Sequence, residues 1–116
     1  METLLEKATE ASIAKAAELL KQGEIVAIPT ETVYGIAASA FDGNAVKKIF
    51  EAKGRPQDNP LIVHIDRLEM LDGLVSRVPK GAKKLAEAFW PGPLTIIMPR
   101  GDKVADEVCA GLDTVA

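Results

Sequence analysis

Pro29-Thr30-Glu31-Thr32-Val33-Tyr34-Gly35 opens a stretch that closes on Lys53-Gly54-Arg55-Pro56-Gln57-Asp58-Asn59-Pro60-Leu61-Ile62-Val63-His64. At each end an apolar, strand-like run stands beside a loop dense in polar side chains. Strand ends of this kind are where α/β proteins place ligands. Between them, Asn44 to Ala52 has helical periodicity, burying Val46, Ile49 and Phe50 and showing Lys47, Lys48 and Glu51 to water. A strand–helix–strand unit would bring both loops to one edge of a sheet. The fold class expected is α/β.

Upstream of this stretch, Thr9 is positioned to cap a helix whose stripe is Ile13, Ala16, Ala17 and Leu20, with Gly23 as its stop. Glu24 to Ile28 is short and β-branched, which suits a strand covered on both faces and ended by Pro29. Val33 to Phe41 reads as a turn followed by irregular or extended chain. Asp42-Gly43-Asn44 is a turn and cap signal.

Downstream, Leu61 to Ile65 is expected to be a strand. Asp66 and Glu69 have capping-box spacing for a short helix, Arg67 to Leu71, closed by Gly73. Pro79 suits the first turn of a helix reaching Phe89 or Trp90, with Ala82, Leu85, Ala86 and Phe89 inward. Leu94 to Met98 reads as a third strand, Asp102 to Cys109 as a helix, and Leu112 to Ala116 as the start of another strand.

The 116 residues suffice for one domain, 1–116. At 47% hydrophobic and 27% charged, the chain is globular and not disordered. A net charge of -3 argues against a chain that binds nucleic acid through overall charge. Cys109 is the single cysteine, which excludes an internal disulfide and a four-cysteine zinc site. The first residues lack an apolar signal core and no run is long enough to span a membrane, so a soluble, cytoplasmic protein is expected.

Several residues have both a structural and a chemical reading. Thr30, Glu31, Thr32 and Tyr34 can cap backbone groups in a turn, or grip a small polar ligand at a strand mouth. Lys53 and Arg55 complement a helix C-terminus, or reach from a tight turn toward one anion such as phosphate. Asn59 is turn chemistry or an added amide donor. His64, the only histidine, is a core imidazole or a cleft donor. Period two places it on the face of Ile62, opposite Leu61, Val63 and Ile65. Trp90 anchors a rigid corner, Phe89-Trp90-Pro91-Gly92-Pro93-Leu94. Cys109 is expected to pack. No Walker loop, G-x-G-x-x-G or G-x-S-x-G is present.

Taken together, Pro29 to Gly35, Ala45 to His64 and Phe89 to Thr95 resemble the threonylcarbamoyl-adenylate synthases, the YrdC/Sua5 family. The likeness runs from about Gly23 onward. It implies a YrdC/RibB-like twisted mixed sheet flanked by helices, around an open, positively lined cleft. Family members continue into an arginine-bearing strand and a Ser-x-Asn motif, so the chain reads as the N-terminal portion of such a domain. The resemblance implies a reaction in which L-threonine, bicarbonate and ATP give threonylcarbamoyl-adenylate and pyrophosphate. A threonylcarbamoyl transferase downstream would then modify adenosine 37 of tRNA. By motif position, Thr32 and His64 would touch threonine. Lys53 and Arg55, the implied catalytic pair, would hold the nucleotide phosphates with Asn59, and Thr114 would lie near the nucleotide. Mg2+ is expected with ATP, with no metal site in the protein itself.

Two other functions are carried alongside. One is the related carbamoyl-adenylate enzyme of hydrogenase maturation, which would use carbamoyl phosphate. The other is a module with weak RNA binding, in which Lys47, Lys48, Lys53 and Arg55, with Lys83 and Lys84 elsewhere, form a basic patch.

Overall fold

The computed structural model describes residues 2–54 and 59–116. In chain order they form helix α1 (Glu10–Lys21), strands β1 (Val26–Pro29) and β2 (Tyr34–Ala37), helix α2 (Gly43–Lys53) and a 3₁₀ turn (Leu68–Leu71). Helix α3 (Lys80–Phe89), strand β3 (Met98–Pro99), the helical turn α4 (Asp106–Cys109) and strand β4 (Thr114–Val115) follow.

The core is built around α2. The Asp42 carboxylate caps it, accepting the N–H groups of Asn44 at 3.1 Å and Ala45 at 3.2 Å. Gly54 ends it in the left-handed region, φ 60°, which a residue without a Cβ adopts freely. Val46, Ile49 and Phe50 are buried on one face, as the periodicity predicts, and Ala45 is buried with them. Val46 and Phe50 join Leu74, Val104, Val108, Cys109 and Val115 in one cluster. Leu61, Val63 and Ile65 pack against it from the side.

β1 and β2 form an antiparallel hairpin, with Ile28 opposite Gly35 and Pro29 opposite Tyr34. β3 and β4 form a second antiparallel pair, with Met98 opposite Val115. Arg100 staples the region beyond β3. Its Nη2 donates to the Val104 carbonyl at 2.9 Å and lies 2.7 Å from Asp106 Oδ1, while its backbone N–H donates to Asp113 at 3.0 Å.

Several expectations need correction. β1 is not covered on both faces: its residues alternate half-buried and exposed, so only one face is packed, and among the described residues β2 is the strand it pairs with. β2 itself lies within the segment read as irregular or extended. Leu61 to Ile65 is not assigned to a strand; among the described residues Leu61 N–H donates to Val108 O and Val63 N–H to Ala116 O, each at 2.9 Å. Leu94 to Met98 contributes only Met98 to a strand. β-propensity marks chain that can be extended, and only a neighbour makes it a strand.

The helices differ for a similar reason. Thr9 caps α1 through a reciprocal capping box with Ser12, yet the expected inner stripe is not buried and Ile13 is 62% exposed. On α3, Ala82 and Ala86 are buried but Leu85 and Phe89 are exposed. The Asp66–Glu69 capping box does not form: the N-cap position is Arg67, without a side-chain cap, and Asp66 lies 3.1 Å from the Arg67 guanidinium. The helix expected from Asp102 begins only at Asp106.

Candidate functional site

The hairpin turn between β1 and β2 is organised by Thr30. Its hydroxyl donates to the Val33 carbonyl and accepts the N–H groups of Val33 at 3.2 Å and Thr32 at 3.4 Å. The Thr30 N–H donates to the same carbonyl at 3.2 Å. Thr30 therefore takes the structural reading, and Glu31 and Thr32 stand exposed at the tip. The second loop leads into Leu61 to Ile65, where burial alternates with period two. Leu61, Val63 and Ile65 face the core, while Ile62 and His64 are exposed on the opposite side. His64 is thus not a core imidazole.

Both features meet at one cavity of ≈ 510 Å³. Glu31 comes from the hairpin tip. Ile62, Val63, His64, Ile65, Asp66, Arg67 and Leu68 form one wall, and Trp90 to Ile96 form another. Leu71, Leu74, Val75, Met98, Val115 and Ala116 complete the lining. Trp90 holds the second wall by donating its Nε1–H to the Leu94 carbonyl at 2.8 Å. A largely apolar lining with a few convergent polar groups, here Glu31, His64, Asp66, Arg67 and Thr95, is the usual make-up of a small-molecule site.

The other residues expected at the site lie elsewhere or are adjacent. Thr32 neighbours Glu31 on the tip but is not part of the cavity wall. Lys53 is the last residue of α2 and is exposed, as is Asn59; neither lines the cavity. Thr114 is half-buried in β4, opposite Pro99 and next to the cavity-lining Val115. Arg55 lies outside the described residues. The sequence reading overlooked Ile62, Asp66, Arg67 and the Trp90–Ile96 wall as lining. The proline-rich corner is the available signal; by residue type it reads as packing, and its motif is one of the blocks that carry the family resemblance.

The cations proposed as a basic patch are largely matched by acids. Lys47 lies 3.9 Å from Glu107, Lys48 lies 3.4 Å from Glu24, and Lys83 lies 4.0 Å from Glu87. Cys109 is buried, as expected, and burial pushes its thiol pKa up. The nearby Arg100 opposes that shift and Asp106 adds to it.

A family model described as telomere recombination, covering Sua5, YciO and YrdC proteins, matches residues 18–116. The chain belongs to the YrdC/Sua5 family. It is 53% identical over 111 residues to the threonylcarbamoyl-AMP synthase of Pyrococcus abyssi, a match covering 96% of this chain and 33% of that relative. It is 56% identical over 105 residues to the threonylcarbamoyl-AMP synthase of Bacillus subtilis, covering 90% of this chain and 30% of the relative. The crystal structure of Pyrococcus abyssi Sua5 complexed with L-threonine superposes with a TM-score of 0.88 at 53% identity, over 95% of this chain and 32% of that one. Full-length HypF in its phosphate- and nucleotide-bound form matches with a TM-score of 0.74 at 25% identity, over 96% of this chain and 14% of that one. The chain spans about a third of the length of the curated relatives it matches. The α/β fold expected from the sequence is the fold of these neighbours.

Proposed function

We propose that this chain supplies the amino-acid end and part of the nucleotide end of an L-threonylcarbamoyladenylate synthase, which forms threonylcarbamoyl-AMP and pyrophosphate from L-threonine, bicarbonate and ATP. The observation that carries this reading is the cavity shared by Glu31, at the tip of the Thr30–Val33 turn, and His64, in a chain 53% identical to a relative solved with L-threonine. Thr32 and His64 contact threonine. Lys53, Arg55 and Asn59 hold phosphate oxygens, and Thr114 lies near the nucleotide. The product serves the threonylcarbamoyl transfer that modifies adenosine 37 of tRNA.

The chemistry asks for positioning and charge. Attack of a carbamate on the α-phosphorus moves negative charge onto the departing pyrophosphate. Fixed cations and amides offset that charge, and holding amino acid and nucleotide end to end removes the entropy of encounter. Magnesium, when bound with ATP, supplies further neutralisation of the phosphates. Magnesium bound with ATP is held mainly by phosphate oxygens and water.

Two observations weigh against the other functions. Identity to HypF is 25%, against 53% and 56% to the synthases. The matched cations on α2 lessen the field an RNA-binding face would need.

Pyrophosphate release by the protein carrying this chain tests the assignment. Release is expected only with threonine, bicarbonate and ATP together, and Arg55→Ala should lower it on the order of 100-fold. Release without threonine, or dependence on carbamoyl phosphate, would overturn it.

A further inference from the structure

We propose that the Glu31 carboxylate receives the ammonium group of the amino-acid substrate, with Thr30 as its positioning residue. The inference rests on the reading of the cavity as an amino-acid site and names a contact within it. An α-amino acid arrives with a cation that must be matched once it leaves water. Among the described residues the cavity is lined by two carboxylates, Glu31 and Asp66. Asp66 lies 3.1 Å from the Arg67 guanidinium, which also lines the cavity. Glu31 makes no hydrogen bond or ion pair with any described side chain, so it is the acceptor left for a ligand cation.

Its placement is not left to a floppy loop. The ladder runs to the Pro29–Tyr34 pair, directly against the turn. From there the Thr30 hydroxyl engages Thr32 N–H, Val33 N–H and Val33 O together. A turn tied at these atoms fixes the backbone on either side of Glu31. Ile62, Leu68 and Trp90 supply apolar surface beside it, and an ammonium–carboxylate hydrogen bond is charge-assisted and so stronger than a neutral one. His64, in the same cavity, remains for the hydroxyl or carboxylate of the substrate.

The test compares two ligands by titration calorimetry on the full protein. One is L-threonine. The other is 3-hydroxybutanoate, which keeps the hydroxyl, methyl and carboxylate and lacks the ammonium. The wild-type protein should prefer threonine, and Glu31→Gln should cut that preference at least tenfold while leaving 3-hydroxybutanoate unchanged. Thr30→Val should weaken threonine binding in the same selective way, and Thr30→Ser should restore it. Glu31 is exposed, so Glu31→Gln folds normally and remains informative if Thr30→Val does not. Equal preference in wild type and Glu31→Gln, while Thr32→Ala still loses threonine, overturns the Glu31 contact alone. A wild-type protein indifferent to threonine overturns the amino-acid reading itself, and this inference with it.

Discussion

Lys48 Nζ donates to the carbonyl oxygen of Gly23 at 2.8 Å, across 25 positions of sequence. The same ammonium lies 3.4 Å from the Glu24 carboxylate. One side chain of α2 thereby holds the end of α1 and the entry to the hairpin that carries Glu31. Lys48→Met should cost about 1 kcal/mol, since the amine is partly exposed and its ion pair is screened. Thermal unfolding should show a fall of roughly 4 °C. An unchanged melting temperature would mean that the link does not hold the hairpin.

Gly101 packs against the backbone of Gly73. A Cβ at residue 101 would stand 2.4 Å from the Gly73 carbonyl oxygen, a clash with main chain that no rotamer relieves. Gly101 N–H also donates to Leu74 O at 2.8 Å, so the backbones cannot part without losing that bond. Gly101→Ala should destabilise by about 2 kcal/mol, read as a lower urea midpoint with an unchanged slope.

Cys109 makes stability depend on alkaline pH. Burial holds its thiol protonated in the folded chain at a pH where the unfolded chain has begun to ionise. The stability it contributes is complete below the unfolded thiol's range, about pH 8.5, and declines as pH rises through and above it. Urea unfolding at pH 7 and pH 10 should show a larger loss for the wild type than for Cys109→Ala. Equal losses would mean that the thiol is not kept neutral by the fold. Thiol reagents should modify Cys109 slowly until denaturant is added.

His64 is exposed and its neighbours Val63 and Ile65, not His64 itself, face the core. His64→Ala should therefore leave the melting temperature within about 1 °C, because surface changes away from packed contacts have small effects. It should weaken L-threonine binding about tenfold or more, the worth of a hydrogen bond to a charged or hydroxyl group. Intact binding in this variant would remove His64 from the site.

The parts of the fold legible in the chain are those governed by near neighbours. Thr9 and Asp42 cap helices because their side chains reach backbone N–H groups two or three residues on. Gly54 and Gly73 sit at positive φ, where glycine carries no Cβ penalty. The buried face of α2 follows from its spacing. The hairpin strand Tyr34–Ala37 was not legible as a strand, since Gly35 weakens the pattern and the pairing with Val26–Pro29 depends on the turn. Of the candidate site, His64 and the Thr30–Thr32 cluster stood out by residue type. The Trp90–Ile96 wall did not, because its role depends on lying across from residues some thirty positions earlier.

Amphipathic spacing marks a face that is best covered, but says nothing of what covers it. Ile13, Leu85, Phe89 and Ile97 are all exposed, and the chain shows 8387 Å² to solvent where a compact monomer of its mass would show roughly 6,100 Å². The sequence by itself determined the caps, the helix faces, the alternation around His64 and the family-bearing motifs, all products of contacts within a few residues. Only the tertiary structure decided that Glu31 and His64 share a cavity, that Leu61 to Ile65 joins no ladder among the described residues, and which apolar faces find cover. Those outcomes depend on groups far apart in sequence, and local hydrogen bonding and periodicity carry no record of which distant partner a surface will meet.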